Sequence, residues 1–309
     1  MPFDIDISDS FTWEEGLPRP QWDLLTTWVE TRVEPAEHAA AWTHIARQWL
    51  EKLQPELGQS YRLHEAESVL LLSATPEEQA KMLLQFGQRC QRAIPSGLPG
   101  VAEFSQGGKQ VVVALSYDFQ YYQYISVYYP EGHHGGSAGV HVCDGYPHVA
   151  LSGEDLALLE NTLAHELTHA ALQYLTMPQW MEEGLAQLYE HALSGRGLLL
   201  LDPPMASEHK QYWSRHGLDS FWRGEGFSRP GRVQKLSYQL AEILMRLLGE
   251  NYGPRWFGLD KSRLRRLMAF LRYSHREDCG ESAAREHLHR GLSEIAAQFL
   301  GPGDWSVGL

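Results

Sequence analysis

Apolar positions along this chain recur with two periods, and the switch between them divides it. From 21 to 57, Ala39, Trp42, Ala46, Trp49, Leu50 and Leu53 return at three- and four-residue intervals, which predicts helix, with Pro35 suited to a first turn. The stretch 61–72 ends in Val69-Leu70-Leu71-Leu72 and predicts a strand preceded by a hairpin. Thr75 and Pro76, followed by Glu77 and Glu78, open a helix predicted to reach Arg92, with Pro95, Gly97, Pro99 and Gly100 marking a loop after it. From Gln110 the period becomes that of β structure. Residues 111–115 form one predicted strand; 121–129, rich in aromatic and β-branched residues, form a second; shorter ones fall at 139–143 and 148–151. After Ser152 the pattern is helical, at 154–175, 178–193, 232–250, 260–273 and 281–300.

This order predicts an α+β fold, with a mixed or antiparallel sheet in the first half packed on a helical second half. It further suggests a helical segment at 1–58, a sheet subdomain with an edge strand at 59–152, and a helical subdomain at 153–309.

Composition narrows the class. A hydrophobic fraction of 43% supplies a packed core. The net charge of -13 argues against nucleic acid as a partner, because displacing counterions needs a dense Lys/Arg surface. Cys90, Cys143 and Cys279 are odd in number and far apart, which does not suit a disulfide scaffold. The acidic stretch 1–10 lacks the basic-then-apolar order of a signal peptide, and apolar runs such as 198–201 are too short to cross a bilayer. The expectation is a cytoplasmic protein with no membrane partner.

The candidate chemistry lies in the helix after Ser152. Ser152-Gly153-Glu154-Asp155 offers an acidic variant of a capping box. Beyond it, Leu159, Leu163, Ala164, Leu167, Ala170, Ala171 and Leu172 encircle the helix, which predicts burial. Into this setting the sequence places His165, Glu166 and His169. Burying them without partners would cost roughly 2 kcal/mol or more for each unsatisfied group, a conflict that a metal ion removes. His165 and His169 are four residues apart, so both imidazoles leave one face and can meet one ion. Glu166 sits about 100° further round, close enough to take a proton from water beside the metal.

A catalytic zinc needs a third protein ligand and an open position. Trp180-Met181-Glu182-Glu183-Gly184-Leu185-Ala186 follows in a helix opened by Pro178. Together, His165-Glu-Leu-Thr-His169 and Trp180 to Ala186 resemble the gluzincin clan of zinc metallopeptidases, most closely its small peptidase-MA-like members. The resemblance implies a thermolysin-like fold, one Zn2+ per chain held by His165, His169 and Glu183, and a peptide or protein substrate. Periodicity on this helix leans instead to Glu182: Met181, Leu185 and Leu188 form the apolar face, Glu182 lies nearer it, and Glu183, Gln187 and Glu190 lie opposite. Ser237-Tyr238-Gln-Leu-Ala241 resembles the clan's tyrosine-bearing helix, so that Tyr238 could donate to a developing oxyanion. Gln187 or Glu190 could orient a ligand imidazole, although a surface position suits both. The clan's aminopeptidases carry a Gly-x-Met-Glu-Asn strand, where this chain has Gly136-Ser-Ala-Gly-Val-His141 with no acidic residue, which favours endopeptidase action.

The expected reaction is peptide hydrolysis with Glu166 as general base, the substrate held extended by an edge strand between Tyr121 and His141. His133 and His134 read as exposed loop residues, and the tyrosines and tryptophans before residue 130 as core. The alternatives are a catalytically inactive, metal-stabilised binding protein and a hydrolase acting on a non-peptide bond.

Overall fold

The computed structural model describes residues 6–104, 107–132, 136–195, 199–253 and 261–308. His133, His134, half of the acidic stretch 1–10, and residues 198 and 260 lie outside the described residues. The fold is α+β, with both sheets in the first half and a helical second half. The chain divides into two compact units, one of Met1–Ala93 with Phe104–Ala170 and one of Ile94–Glu103 with Ala171–Leu309.

In the first unit, β1 (Phe11–Glu14) and β2 (Leu17–Pro20) form a hairpin, followed by α1 (Trp22–Arg32) and α2 (His38–Leu57). The helical stretch expected over 21–57 comprises two helices: Val33 and Glu34 are extended between them, and Pro35 opens a short 3-10 turn, in keeping with the first-turn position suggested for it. A five-stranded sheet follows, built from β3 (Arg62–Glu65), β4 (Val69–Ser73), β5 (Gln110–Leu115), β6 (Gly139–Val142) and β7 (His148–Ser152) in the order β3-β4-β5-β7-β6. β3–β4 and β6–β7 pair antiparallel, while β4–β5 and β5–β7 pair parallel, so the sheet is mixed. The parallel pair β4–β5 requires a crossover, which α3 (Glu77–Gly97) provides. α3 runs past Pro95, which the sequence suggested as loop. Pro removes only its own N–H, and Leu98 N donates to Ile94 O at 3.0 Å to close the last turn.

The second correction concerns 121–129, expected to be a strand. The chain there forms helix α4 (Asp118–Ser126). Tyr121, Tyr124 and Ile125 are its buried residues, and their i, i+3, i+4 spacing is helical. Aromatic and β-branched enrichment reflects fit to a half-buried pleated surface, not a backbone preference, and here the packing period prevails. The sheet's edges are β3 and β6, and β6 begins within the span between Tyr121 and His141 that was expected to supply an edge strand.

Strand alternation sorts the sheet's two faces. Leu70, Leu72, Val111, Val113, Leu115, Val140 and Val142 join the core formed with Trp22, Ile45, Trp49, Leu53, Tyr121 and Tyr124 of α1, α2 and α4. The opposite face carries Val69, Leu71, Val112, Gly139 and His141. There a Cβ on Gly87 of α3 would meet Val69 and Leu163 at 3.6 and 3.7 Å. Leu163 belongs to α5 (Leu156–Leu172), so this face is covered by α3 and α5.

In the second unit, α6 (Gln179–Ser194) packs closely on α10 (Arg232–Tyr252). Around them lie α7 (Pro203–His216), α8 (Asp219–Trp222), α9 (Glu225–Ser228), α11 (Lys261–Tyr273), α12 (Glu281–Ala283) and α13 (Leu292–Leu300). Sequence periodicity predicted no helix over 203–228, and the helix expected over 281–300 is interrupted, with His289 in the left-handed region. Among the described residues, no helix is long and apolar enough to cross a membrane.

Candidate metal centre

Helix α5 starts later than its proposed cap. Asp155 Oδ1 accepts from Leu158 N at 2.9 Å, whereas Ser152 Oγ donates to Asp118 Oδ1 at 2.7 Å. The first turn is exposed, with Leu158 at 53%, but Leu159, Leu163, Ala164, Leu167, Ala170 and Ala171 are all buried. Along this stretch His165 and His169 are half-buried and turn the same ring nitrogen toward each other. Their Nε2 atoms are 3.2 Å apart, and the rings meet edge to face with centroids at 4.9 Å. Two nitrogens bound to one tetrahedral zinc at the usual bond length would be separated by about 3.3 Å.

Glu183 completes the group: one ligand atom of each of His165, His169 and Glu183 lies within 4.8 Å of the others. Glu183 is buried at 8% exposure, although the helical period of α6 assigned it to solvent. The start of α6 is covered all round, since Trp180, Met181, Gly184, Leu185 and Ala186 are buried too, and Gln187 and Glu190 are half-buried and 3.5 Å apart. Glu182, favoured by the period, instead accepts from Arg276 Nη2 at 3.0 and 3.2 Å. Gly184 is explained by the second unit's packing. A Cβ there would stand 2.6 Å from both Ala241 O and Met245 Cγ of α10. Trp180 is anchored by its Nε1 donating to Cys279 O at 3.0 Å.

Glu166 is also buried, at 8% exposure, and lies on the side of α5 covered by β6. A Cβ on Gly139 would meet Thr162 Cγ2 at 2.4 Å and Glu166 Cγ at 3.2 Å, so only glycine lets the strand lie this close. Two tyrosines from the α4 region feel the Glu166 carboxylate. Burial, reinforced by it, raises the hydroxyl of Tyr121, and burial raises that of Tyr129 to about 12, with Cys143 and Glu166 acting the same way. Sequence reading assigned these tyrosines to core and missed their neighbourhood, because it placed them in a strand.

His141, quoted in the sequence only as the end of a segment, is 9% exposed. Burial pushes its imidazole down to about 3, with His169 and His148 acting in the same direction. Tyr238 is half-buried on α10, with its ring edge-to-face on Phe227 at 5.2 Å.

β6 presents an edge. Ser152 N donates to Ala138 O at 2.8 Å, which makes 138 and 152 a hydrogen-bonded pair, and antiparallel alternation then assigns 140 and 142 to β7. The backbone groups of Gly139 and His141 therefore point away from β7, and Tyr129 Oη donates to His141 O at 3.4 Å. Comparison with known proteins adds no family: no protein-family model matches the chain, and a search of curated proteins returned no match.

Proposed function

We propose that this chain is a zinc-dependent endopeptidase of the gluzincin type. The observation that carries the reading is the convergence of His165 Nε2 and His169 Nε2 to 3.2 Å, with a buried Glu183 oxygen in the same group. Two imidazoles and a carboxylate are a donor set suited to a catalytic zinc with one position left open. His165, His169 and Glu183 would hold one ion per chain. Bound there, zinc supplies Lewis acidity and brings the pKa of water to about 7.

The chain's own residues do the rest. The Glu166 carboxylate takes a proton from the attacking water and passes it to the leaving nitrogen, after which the amine departs. The His141 carbonyl accepts from Tyr129, and the other outward backbone groups of Gly139 and His141 suit pairing with an extended peptide, the usual way an edge strand recognises one. Tyr238 is a candidate donor to the carbonyl oxygen. The three cysteines are free, two of them buried, which fits a reducing compartment, and we place the enzyme in the cytoplasm.

Metal analysis after growth in zinc-replete medium, together with cleavage of a mixed peptide library, tests this reading. The expected outcome is one zinc per chain, library cleavage by the wild type, and loss of roughly 10²-fold or more in Glu166→Gln with zinc retained. Absence of zinc overturns the reading. Zinc without cleavage points to a metal-stabilised binding protein or to a non-peptide substrate.

A further inference from the structure

β6 carries a histidine where a valine would satisfy the sheet. Its neighbours Val140 and Val142 point into the core shared with α1, α2 and α4, and His141 points to the opposite face with Gly139. Gly139 rests on Thr162 and Glu166 of α5. Two residues along a strand advance about 6.7 Å, close to the rise of about one and a quarter helical turns, so His141 comes alongside the part of α5 that bears His169. The influence of His169 on the His141 imidazole agrees with that placement. Within this setting, His141 Nε2 is buried and has no hydrogen-bond partner among the described residues. Nδ1 is engaged, 3.5 Å from Cys143 Sγ. Its nitrogens stand outside the group that converges within 4.8 Å, so His141 is not one of the ligands. A buried nitrogen left unmatched opposes folding, and a strand face that needs only packing has no use for one.

We propose that His141 is a substrate-binding residue of the metal site, its Nε2–H donating to the peptide carbonyl oxygen that faces the His165–His169 pair. The inference rests on the zinc-peptidase reading and names within it a donor on the edge strand. This role takes the neutral tautomer in which the Cys143 thiol donates to Nδ1 and the proton sits on Nε2. As the carbonyl oxygen gains charge during attack, this hydrogen bond strengthens, so the contribution is larger in the transition state than in substrate binding.

The test compares His141→Leu, which removes the donor, with His141→Gln, which keeps an N–H, and with Tyr238→Phe. Three readouts are taken: kcat and KM on a peptide cleaved by the wild type, zinc content, and binding of acetohydroxamate to the cobalt(II)-loaded protein followed in its visible spectrum. His141→Leu is expected to lower kcat by about 10²-fold or more with KM changed only a few-fold. Zinc stays at one per chain and the melting temperature does not fall, because the unmatched nitrogen is gone. Acetohydroxamate Kd rises about tenfold or more, and His141→Gln recovers part of both losses. Wild-type kcat and Kd in His141→Leu overturn the inference, as does loss of zinc, which would make the residue a ligand or a support. If the wild type binds metal but cleaves no peptide, the peptidase reading fails on its own. The acetohydroxamate comparison still decides whether His141 faces the site.

Discussion

Each unit brings one element unusually close to another by means of a glycine, and the two close approaches differ in what the glycine faces. In the first unit Gly139 of β6 lies over α5, where an added Cβ would strike the methyl of Thr162 and the Cγ of Glu166, both side-chain atoms. In the second, Gly184 of α6 lies against α10, where the Cβ would strike the Ala241 carbonyl oxygen. A side chain can change rotamer, but a helix carbonyl cannot move without the helix. The approach beside Glu166 is therefore adjustable, and the one beside Glu183 is fixed. The units also place their carboxylates differently. Glu166 is set by its position next to His165 on a largely buried helix, whereas Glu183 owes its burial to what covers the start of α6.

The largest expected effect separates the two glutamates of α6. Glu183→Ala should weaken zinc binding by roughly 10³-fold or more, beyond the 10–100-fold typical of groups outside the coordination sphere. Competition with a chelator measures it. If Glu182→Ala behaved this way and Glu183→Ala did not, the assignment on α6 would be off by one residue.

Acid should then expose a cost in both units. His148 is enclosed by Trp49, Tyr124 and Tyr128, its Nδ1–H donating to Tyr146 O at 2.7 Å and its Nε2 accepting from Tyr124 Oη at 2.7 Å. His209 lies against Trp213 and Phe299, with Gln239 Oε1 3.3 Å from its Nε2. Burial lowers each imidazole from 6.5 to about 4. As pH falls below 6.5 the unfolded chain takes up these protons while the folded chain does not. Stability present above about 6.5 is thus lost progressively down to about pH 4, by about 3 kcal/mol for each histidine. Urea unfolding at pH 7 and pH 4.5 reads the loss, and His148→Gln or His209→Gln should each remove one proton's share of the slope. A stability flat over that range would contradict the neutral burial of both.

The glycine comparison itself predicts smaller changes. Gly184→Ala should destabilise by about 2 kcal/mol and Gly139→Ala by about 1 kcal/mol, within the range for overpacking. Thermal or urea unfolding gives both values, and a reversed order would mean that the strand, not the helix pair, is the rigid contact. The smallest effect is expected at the Glu182–Arg276 pair. Arg276 is largely exposed, so Glu182→Ala should cost less than about 1 kcal/mol in unfolding experiments and leave zinc content unchanged.

The features legible in the sequence were those fixed by neighbours along the chain. The separation of His165 from His169 puts both rings on one side of any helix, and Val111 to Leu115 has no plausible alternative to a buried strand. Thr75 to Glu78 likewise marks a helix start within a residue or two. Spacing reveals which residues share a face, because the helix and strand periods are local properties of the backbone. It does not reveal what will pack on that face. Whether 121–129 became strand or helix was decided by Tyr121, Tyr124 and Ile125 joining the core with α1 and α2. Whether Glu182 or Glu183 turned inward was decided by burial on all sides at the start of α6 and by Arg276 taking the other carboxylate. His141 came to face α5 because Gly139 lets β6 lie on Thr162 and Glu166, a contact between segments more than twenty residues apart in sequence. Such contacts gain their free energy from apolar area and close fit between distant segments, and no local pattern carries that information.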